Sequence, residues 1–306
     1  MGQSTKPKNV TGSPLPLWEF PLPRGRSLTA GRRPLIVGII NCTPDSFSDG
    51  GSYPEPVDAV RAGLRMLAEG ADCLDIGGES TRPGSLPVPP AEQLKRVLPV
   101  IRGLRAQSEA PLSVDTQSPE VAVKALESGV DIINDVSACR DPGWQRVLEE
   151  WRIPIILMHM RGTPLDMQVS PEYSEGVVPT VTAFFEERLA NLQQWGVRAE
   201  RTILDPGIGF GKRVQHNLEL IRSIDAFQSL GRPIFIGASR KGFIQKTLAE
   251  ADGDVTDLEK DLDIGTLMVN AVAICKGAHF LRVHNVSYAR ALVRMFEAVQ
   301  TGTERK

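Results

Sequence analysis

From residue 35 onward the chain alternates short apolar runs with longer segments whose apolar positions recur at helical spacing. Eight runs predict strands, at 35–41, 73–78, 112–116, 132–136, 153–159, 202–206, 234–239 and 280–285. They read as continuous apolar stretches, the pattern of strands covered on both faces. Between them, Val57, Val60, Leu64 and Leu67 line one face of a predicted helix, and Leu94, Val97, Leu98, Ile101 and Leu104 line another. Ser118 before Pro119 supplies an N-cap and an N1 proline for a third, with Gly129 as its stop. Val181, Phe185, Leu189 and Leu192 mark a long fifth helix, Leu218, Ile221 and Ile224 a sixth, and Ile264, Leu267, Met268, Ala271 and Cys275 the last. Strands alternating with helices are parallel, and eight of them predict an α/β fold, a single (β/α)8 TIM barrel rather than an open doubly wound sheet.

The expected division is a flexible Pro-rich tail at 1–26, one catalytic barrel at 27–298 and a C-terminal tail at 299–306. The tail holds Pro7, Pro14, Pro16, Pro21 and Pro23 but no apolar core of a secretory signal, and its prolines oppose the amphipathic helix of a transit peptide. Residues 26–34 could form a small hairpin closing the N-terminal end of the barrel. Irregular loops at 42–56 and 79–89 follow the first two strands, on the C-terminal face where barrel enzymes keep their chemistry. A net charge of −2 gives no general attraction for nucleic acid or anionic lipid, and no apolar run reaches membrane-spanning length. Cys42, Cys73, Cys139 and Cys275 form no CxxC pair, so reduced thiols in a cytoplasmic protein are expected rather than zinc or disulfides. Phosphate chemistry therefore has to come from a local site.

The strand ends supply one. Asn41, Asp75, Asp115, Asn134, His159, Asp205, Ser239 with Lys241 just beyond, then Arg282 and His284 stand where catalytic groups of barrels stand. One such residue is ordinarily a cap or a buried hydrogen bond, but recurrence on strand after strand describes a polar pocket. Arg282 and His284 are two apart and share a face, beside a helix that Arg240 and Lys241 begin. That suits a phosphate; an ordinary basic rim with an ion pair inside the barrel is the plainer alternative. Asp115, Asn134, Asp205 and Lys241 offer carboxylates, an amide and an ammonium, a set that matches a flat heterocycle bearing amino and oxo groups. An Asp205–Lys241 ion pair is the structural alternative. The segment 205–212 is not a phosphate loop, because Pro206 stands where GxxxxGK[ST] needs glycine and Arg213 where it needs Ser or Thr. Lys241, beside Arg240, is expected to be well solvated and so not a Schiff-base lysine.

Taken together, VGIINCTPDSFSDGG (37–51), LDIGGESTRPG (74–84), SVDTQ (113–117), INDVS (133–137), LDPGIGFGK (204–212), GASRK (237–241) and LRVHNV (281–286) resemble dihydropteroate synthase over most of the chain. The resemblance implies that Asp115, Asn134, Asp205 and Lys241 hold a pterin ring. It places a diphosphate at Asn41, Arg82, Arg282 and His284, with Mg²⁺ bound at Asn41. It places p-aminobenzoate at Thr81, Arg82, Pro83, Phe210, Ser239 and Lys241, with Phe47, Ser48 and Asp49 helping to close the site. Asp115, Lys241, Arg282 and His284 are the implied catalytic groups, and the implied assembly is a homodimer. Three departures stand out: Cys42 for a usual valine, Asn285 for the aspartate of RVHD, and Ala138-Cys139 for Gly-Gly.

The implied reaction is attack of an aryl amine on the pterin's exocyclic CH₂ with loss of diphosphate. An aniline is a weak nucleophile, so the C–O bond loosens first, with Asp115 stabilising the pterin cation. The alternatives are a pterin-binding methyltransferase barrel and a non-catalytic pterin-binding relative. The intact STRPG and SRK blocks oppose the first, and the retained phosphate-binding residues and loop motifs oppose the second.

Overall fold

The computed structural model describes residues 16–43, 55–252 and 257–302. An antiparallel hairpin leads in, β1 Trp18–Leu22 and β2 Arg26–Ala30, turned at Arg24 and Gly25, both at positive φ. Eight parallel strands follow: β3 Leu35–Asn41, β4 Cys73–Gly77, β5 Leu112–Asp115, β6 Ile132–Asp135, β7 Ile155–Met158, β8 Thr202–Asp205, β9 Phe235–Ile236 and β10 Phe280–Val283. They pair in the order β8-β7-β6-β5-β4-β3-β10-β9, and a bridge between Leu204 and Ile234 closes the ring. The helices outside are α1 Pro56–Glu69, α2 Pro90–Arg105, α3 Pro119–Glu127, α4 Gly143–Trp151, α5 Val177–Gln194, α6 Val214–Arg222, α7 Gly242–Asp252, α8 Leu258–Cys275 and α9 Val286–Thr301. Proline opens α1, α2 and α3, where a missing N–H costs nothing. This is the expected (β/α)8 barrel. Among the described residues no helix is long and apolar enough to cross a membrane.

Alternation along the strands splits the core in two. Ile36, Ile40, Leu74, Ile76, Val114, Ile133, Leu157, Leu204, Ile236 and Leu281 pack against the helices. Leu35, Val37, Cys73, Ile132, Ile156, Ile203, Phe235 and Phe280 fill the barrel with Phe20, Leu22, Leu28 and Ala30 of the hairpin. The Phe20 and Phe280 rings meet edge to face at 6.1 Å. Arg24, Arg26 and Arg105 converge on the buried Asp131, at 2.8 Å from Arg24 and 2.7 Å from Arg105, and Asp131 also accepts the Leu112 N–H.

The chain ends differ from expectation. The hairpin begins at Trp18, inside the segment expected to be tail, because Phe20 and Leu22 find buried places in the barrel floor. At the other end α9, not α8, is the last helix, and it runs past residue 298 into the expected C-terminal tail. The apolar stripe of α8 also faces the other way. Ile264, Met268 and Val272 are exposed, while Asp263, Thr266 and Asn270 turn inward. Helix α6 stops at Arg222, and Ile224 begins a separate 3₁₀ turn.

Candidate active site

Above the apolar layer, the next inward position is polar or glycine on most strands, with Ile39 of β3 and Met158 of β7 as the apolar exceptions. Asp75 of β4, Asp115 of β5, Asn134 of β6 and Asp205 of β8 sit there with Arg282 of β10, all but Arg282 less than a tenth exposed. The Arg282 guanidinium donates from Nε to Asp75 Oδ2 at 2.7 Å and from Nη2 to Asp115 Oδ2 at 3.0 Å. Asn134 Nδ2 donates to the same Asp75 oxygen at 2.9 Å. The ion pair inside the barrel is thus real, and it joins Asp115, assigned to the ring, with Arg282, assigned to the phosphate. Burial raises the Asp115 carboxyl to about 7; Arg282 opposes that and Asp75 adds to it. Gly77 and Gly237 keep this layer open. A Cβ on Gly77 would lie 4.0 Å from both Asn41 Oδ1 and Asp115 Oδ2, and one on Gly237 3.7 Å from Asp205 Oδ2.

Lys241 stands just before α7, its ammonium 4.0 Å from the centroid of the Phe210 ring. Enclosure lowers its pKa to about 8, chiefly by desolvation and then by Arg282, against the pull of Asp205 and Asp115. The solvated ammonium expected from its neighbour Arg240 is therefore not found: Arg240 turns away to Asp263 and Glu259. Nor does Lys241 pair with Asp205, which accepts the Gly207 N–H at 2.7 Å and is raised to about 6 by burial. The segment 206–212 crosses the end of β7. Gly207 and Gly211 have positive φ, and a Cβ on either would strike a carbonyl, His159 O at 1.9 Å or Arg161 O at 2.6 Å. Lys212 folds back beneath it, buried, with its ammonium at His159 Nδ1.

On the phosphate side, Ser239 Oγ accepts the His284 backbone N–H at 3.2 Å and lies 2.9 Å from the ring nitrogen Nδ1 of the same residue, so the hydroxyl holds the imidazole in place. Burial lowers the His284 pKa to about 3, which keeps the ring neutral.

Two of the departures from the family pattern now have a physical account. Asn285 caps α9 by accepting the Tyr288 N–H and donates to Asp263, so an aspartate here would meet a carboxylate. Ala138 and Cys139 both take left-handed φ, 55° and 58°, where glycine costs least. The Asp135 carboxylate holds that turn by accepting the Ser137 and Cys139 N–H groups and the Ser137 hydroxyl.

The loop after β4 is tied at its root. Glu79 accepts the Val88 N–H, and Gln93 links Val88 to Thr116 at the end of β5. At its tip Arg82 and Pro83 are exposed and Thr81 half-buried, with Gly84 bonded to Pro164 O. The Arg82 charge adds, after desolvation and Arg282, to the lowering of the Lys241 pKa. Phe47, Ser48 and Asp49 lie outside the described residues. Sequence reasoning named Asp75 as a strand-end group but gave it no role. Its sharing by Arg282 and Asn134 follows from three strands meeting, a fact no local motif records. Among the described residues no group of three His, Cys, Asp or Glu is placed to hold a metal ion.

The model of the pterin binding enzyme family matches residues 37–284. The dihydropteroate synthase of Escherichia coli K12 is 38% identical over 273 residues, 89% of this chain and 94% of that protein. Among solved structures, Xanthomonas albilineans dihydropteroate synthase with 4-aminobenzoic acid superposes with a TM-score of 0.82 at 41% identity, covering 92% of this chain and 98% of that one. The same enzyme in complex with 7,8-dihydropteroate gives 0.78 at 36% identity, with the same coverage.

Proposed function

Because the chain belongs to the pterin-binding enzymes, and among them to the dihydropteroate synthases, we propose that the polar layer of the barrel is where its pterin substrate is bound and activated. The reaction condenses 6-hydroxymethyl-7,8-dihydropterin diphosphate with p-aminobenzoate, giving 7,8-dihydropteroate and diphosphate. A bond forms between the amine nitrogen and the exocyclic CH₂, the C–O bond to diphosphate breaks, and the nitrogen loses a proton.

Asp115, Asn134, Asp205 and Lys241 hold the ring, since they face one space and present both acceptors and donors. Asp115 stabilises the positive charge that spreads into the pterin as the C–O bond loosens. Arg282 keeps Nε on Asp75 and has further N–H groups to turn from Asp115 toward the diphosphate. His284 adds its Nε2–H as a neutral donor, and Arg82 a charge from above. The aminobenzoate ring lies against Phe210, Pro83 and the Lys241 stem, with Thr81 and Arg82 at its rim. The carboxylate meets the Ser239 hydroxyl and the N–H groups that open α7.

Asn41 fits Mg²⁺ as a single amide-oxygen ligand, because this ion takes few protein ligands and fills its shell with water and substrate phosphate. Bound there, it would neutralise charge on the departing diphosphate. The four unpaired cysteines suit the reducing cytoplasm. Exposed Ile264, Met268 and Val272 on α8, with Met295 and Val299 on α9, suit a homodimer face.

The convergence of Asp75, Asp115, Asn134 and Arg282 on one layer carries this assignment of roles. Calorimetry on Arg282→Ala tests it. A charge-assisted hydrogen bond is worth about 1.5–3 kcal/mol, so the diphosphorylated pterin should weaken roughly ten- to a hundredfold more than the bare pterin. Equal weakening of both would place Arg282 at the ring.

A further inference from the structure

The mechanism above leaves Lys212 unused, although it is 3% exposed and a buried ammonium is costly unless every N–H is bonded. Here every one is. Its Nζ lies 2.9 Å from His159 Nδ1, 3.3 Å from His159 O and 2.9 Å from Phe210 O. A methionine would fill the same space without that cost, so packing alone does not explain the lysine. The bonds it makes point to one neighbour. The Phe210 N–H donates to Gly207 O at 3.1 Å, and Lys212 takes the carbonyl of the same residue, so the Phe210 backbone is gripped on both sides. Glycines at 209 and 211, both left-handed, would otherwise leave that backbone free to turn. The other end of the grip is anchored: His159 directly follows β7, and its backbone N–H donates to Asp205 O. The Phe210 ring so held lies under the Lys241 ammonium and against Val136, Met158, Met160 and Met167.

We propose that Lys212 is a positioning residue for the second substrate: it staples the glycine-rich segment to the end of β7 and thereby fixes the Phe210 ring against which p-aminobenzoate packs. The proposal rests on the assignment of Phe210 to the aminobenzoate site, and its test separates the two.

Steady-state kinetics are measured on Lys212→Met and on Phe210→Ala, varying each substrate in turn. Both variants should raise KM for p-aminobenzoate on the order of tenfold, as expected for about one lost buried contact, while KM for the pterin diphosphate stays within about threefold. If Phe210→Ala leaves the aminobenzoate KM unchanged, the site assignment fails and the proposal with it. If Phe210→Ala raises it and Lys212→Met does not, or if Lys212→Met raises both KM values alike, the staple alone is refuted. The unsubstituted enzyme gives a check that survives a misfolded variant. Nitrogen-15 NMR should show the His159 ring neutral, with its proton on Nε2 and Nδ1 accepting from Lys212. A ring protonated on Nδ1 beside a charged Lys212 would set two donors face to face, break the contact as built and overturn the proposal.

Discussion

Asp115 is 9% exposed, with Arg282 at one oxygen and Asp75 behind the guanidinium. Removing its charge should cost turnover by roughly two to three orders of magnitude, the usual loss when one preorganised electrostatic partner of a transition state goes. The same residue should weaken the fold at alkaline pH. A carboxyl raised from 3.8 to about 7 binds its proton more tightly in the folded state. Its contribution to stability is fully present below 3.8 and is lost as pH rises through about 7. Asp115→Asn, which has no charge to bury, should therefore gain stability relative to the parent between pH 5 and pH 8 in urea titrations. An unchanged difference at the two pH values would mean that Arg282 fully compensates the buried charge. At position 285 the expectation is opposite. Asn285→Asp would set a carboxylate against Asp263 at the present 3.0 Å contact and lose a donor, at a cost of about 1–2 kcal/mol. Equilibrium denaturation with no loss would show that Arg240 can serve both carboxylates.

The elements below and above the polar layer do different work. The β1–β2 hairpin plugs the floor with Phe20 and Leu22 and is tied to the barrel through Arg24, Arg26 and Asp131. Removing the shared acceptor leaves arginines facing a buried site, which typically costs about 3–5 kcal/mol. Asp131→Ala should lose that much in chemical denaturation. Both KM values of the folded enzyme should stay within about twofold, because distant sites with no shared partner act independently. A changed KM would mean that the floor transmits strain to the pocket. The glycine-rich segment at 206–212 contributes by close approach instead. Its left-handed Gly207 and Gly211 let it lie directly on the end of β7, and that contact brings Phe210 and Lys241 together.

For the whole molecule, the outward stripe of α8 is the feature a lone barrel does not explain. Ile264, Met268 and Val272 recur at helical spacing and stay exposed, Met268 at 60%, beside Met295 and Val299 of α9. If this face pairs with a second copy, Met268→Arg should shift sedimentation from dimer toward monomer while the circular dichroism of the barrel is kept. A parent enzyme that sediments as a monomer, or a variant that stays dimeric, would move the interface elsewhere.

Local pattern determined a great deal here. Apolar runs marked all eight barrel strands, and Ser118 with Pro119 marked the start of α3, because these signals depend on neighbours in sequence. Strand-end positions alone also picked out Asp115, Asn134, Asp205 and Arg282, since alternation turns every second residue into the barrel. Tertiary structure decided the rest. Whether the α8 stripe was core or surface depended on which of its faces met the barrel, and the more polar one did, drawn by Arg240 and Asn285 to Asp263. Arg282 was expected at a phosphate from its strand-end position, yet its bonds to Asp75 and Asp115 cross from β10 to β4 and β5. Lys241 looked solvated beside Arg240 until the left-handed backbone at 240 sent the two side chains apart. Such contacts join residues far apart in sequence, and only closure of the barrel sets their distances.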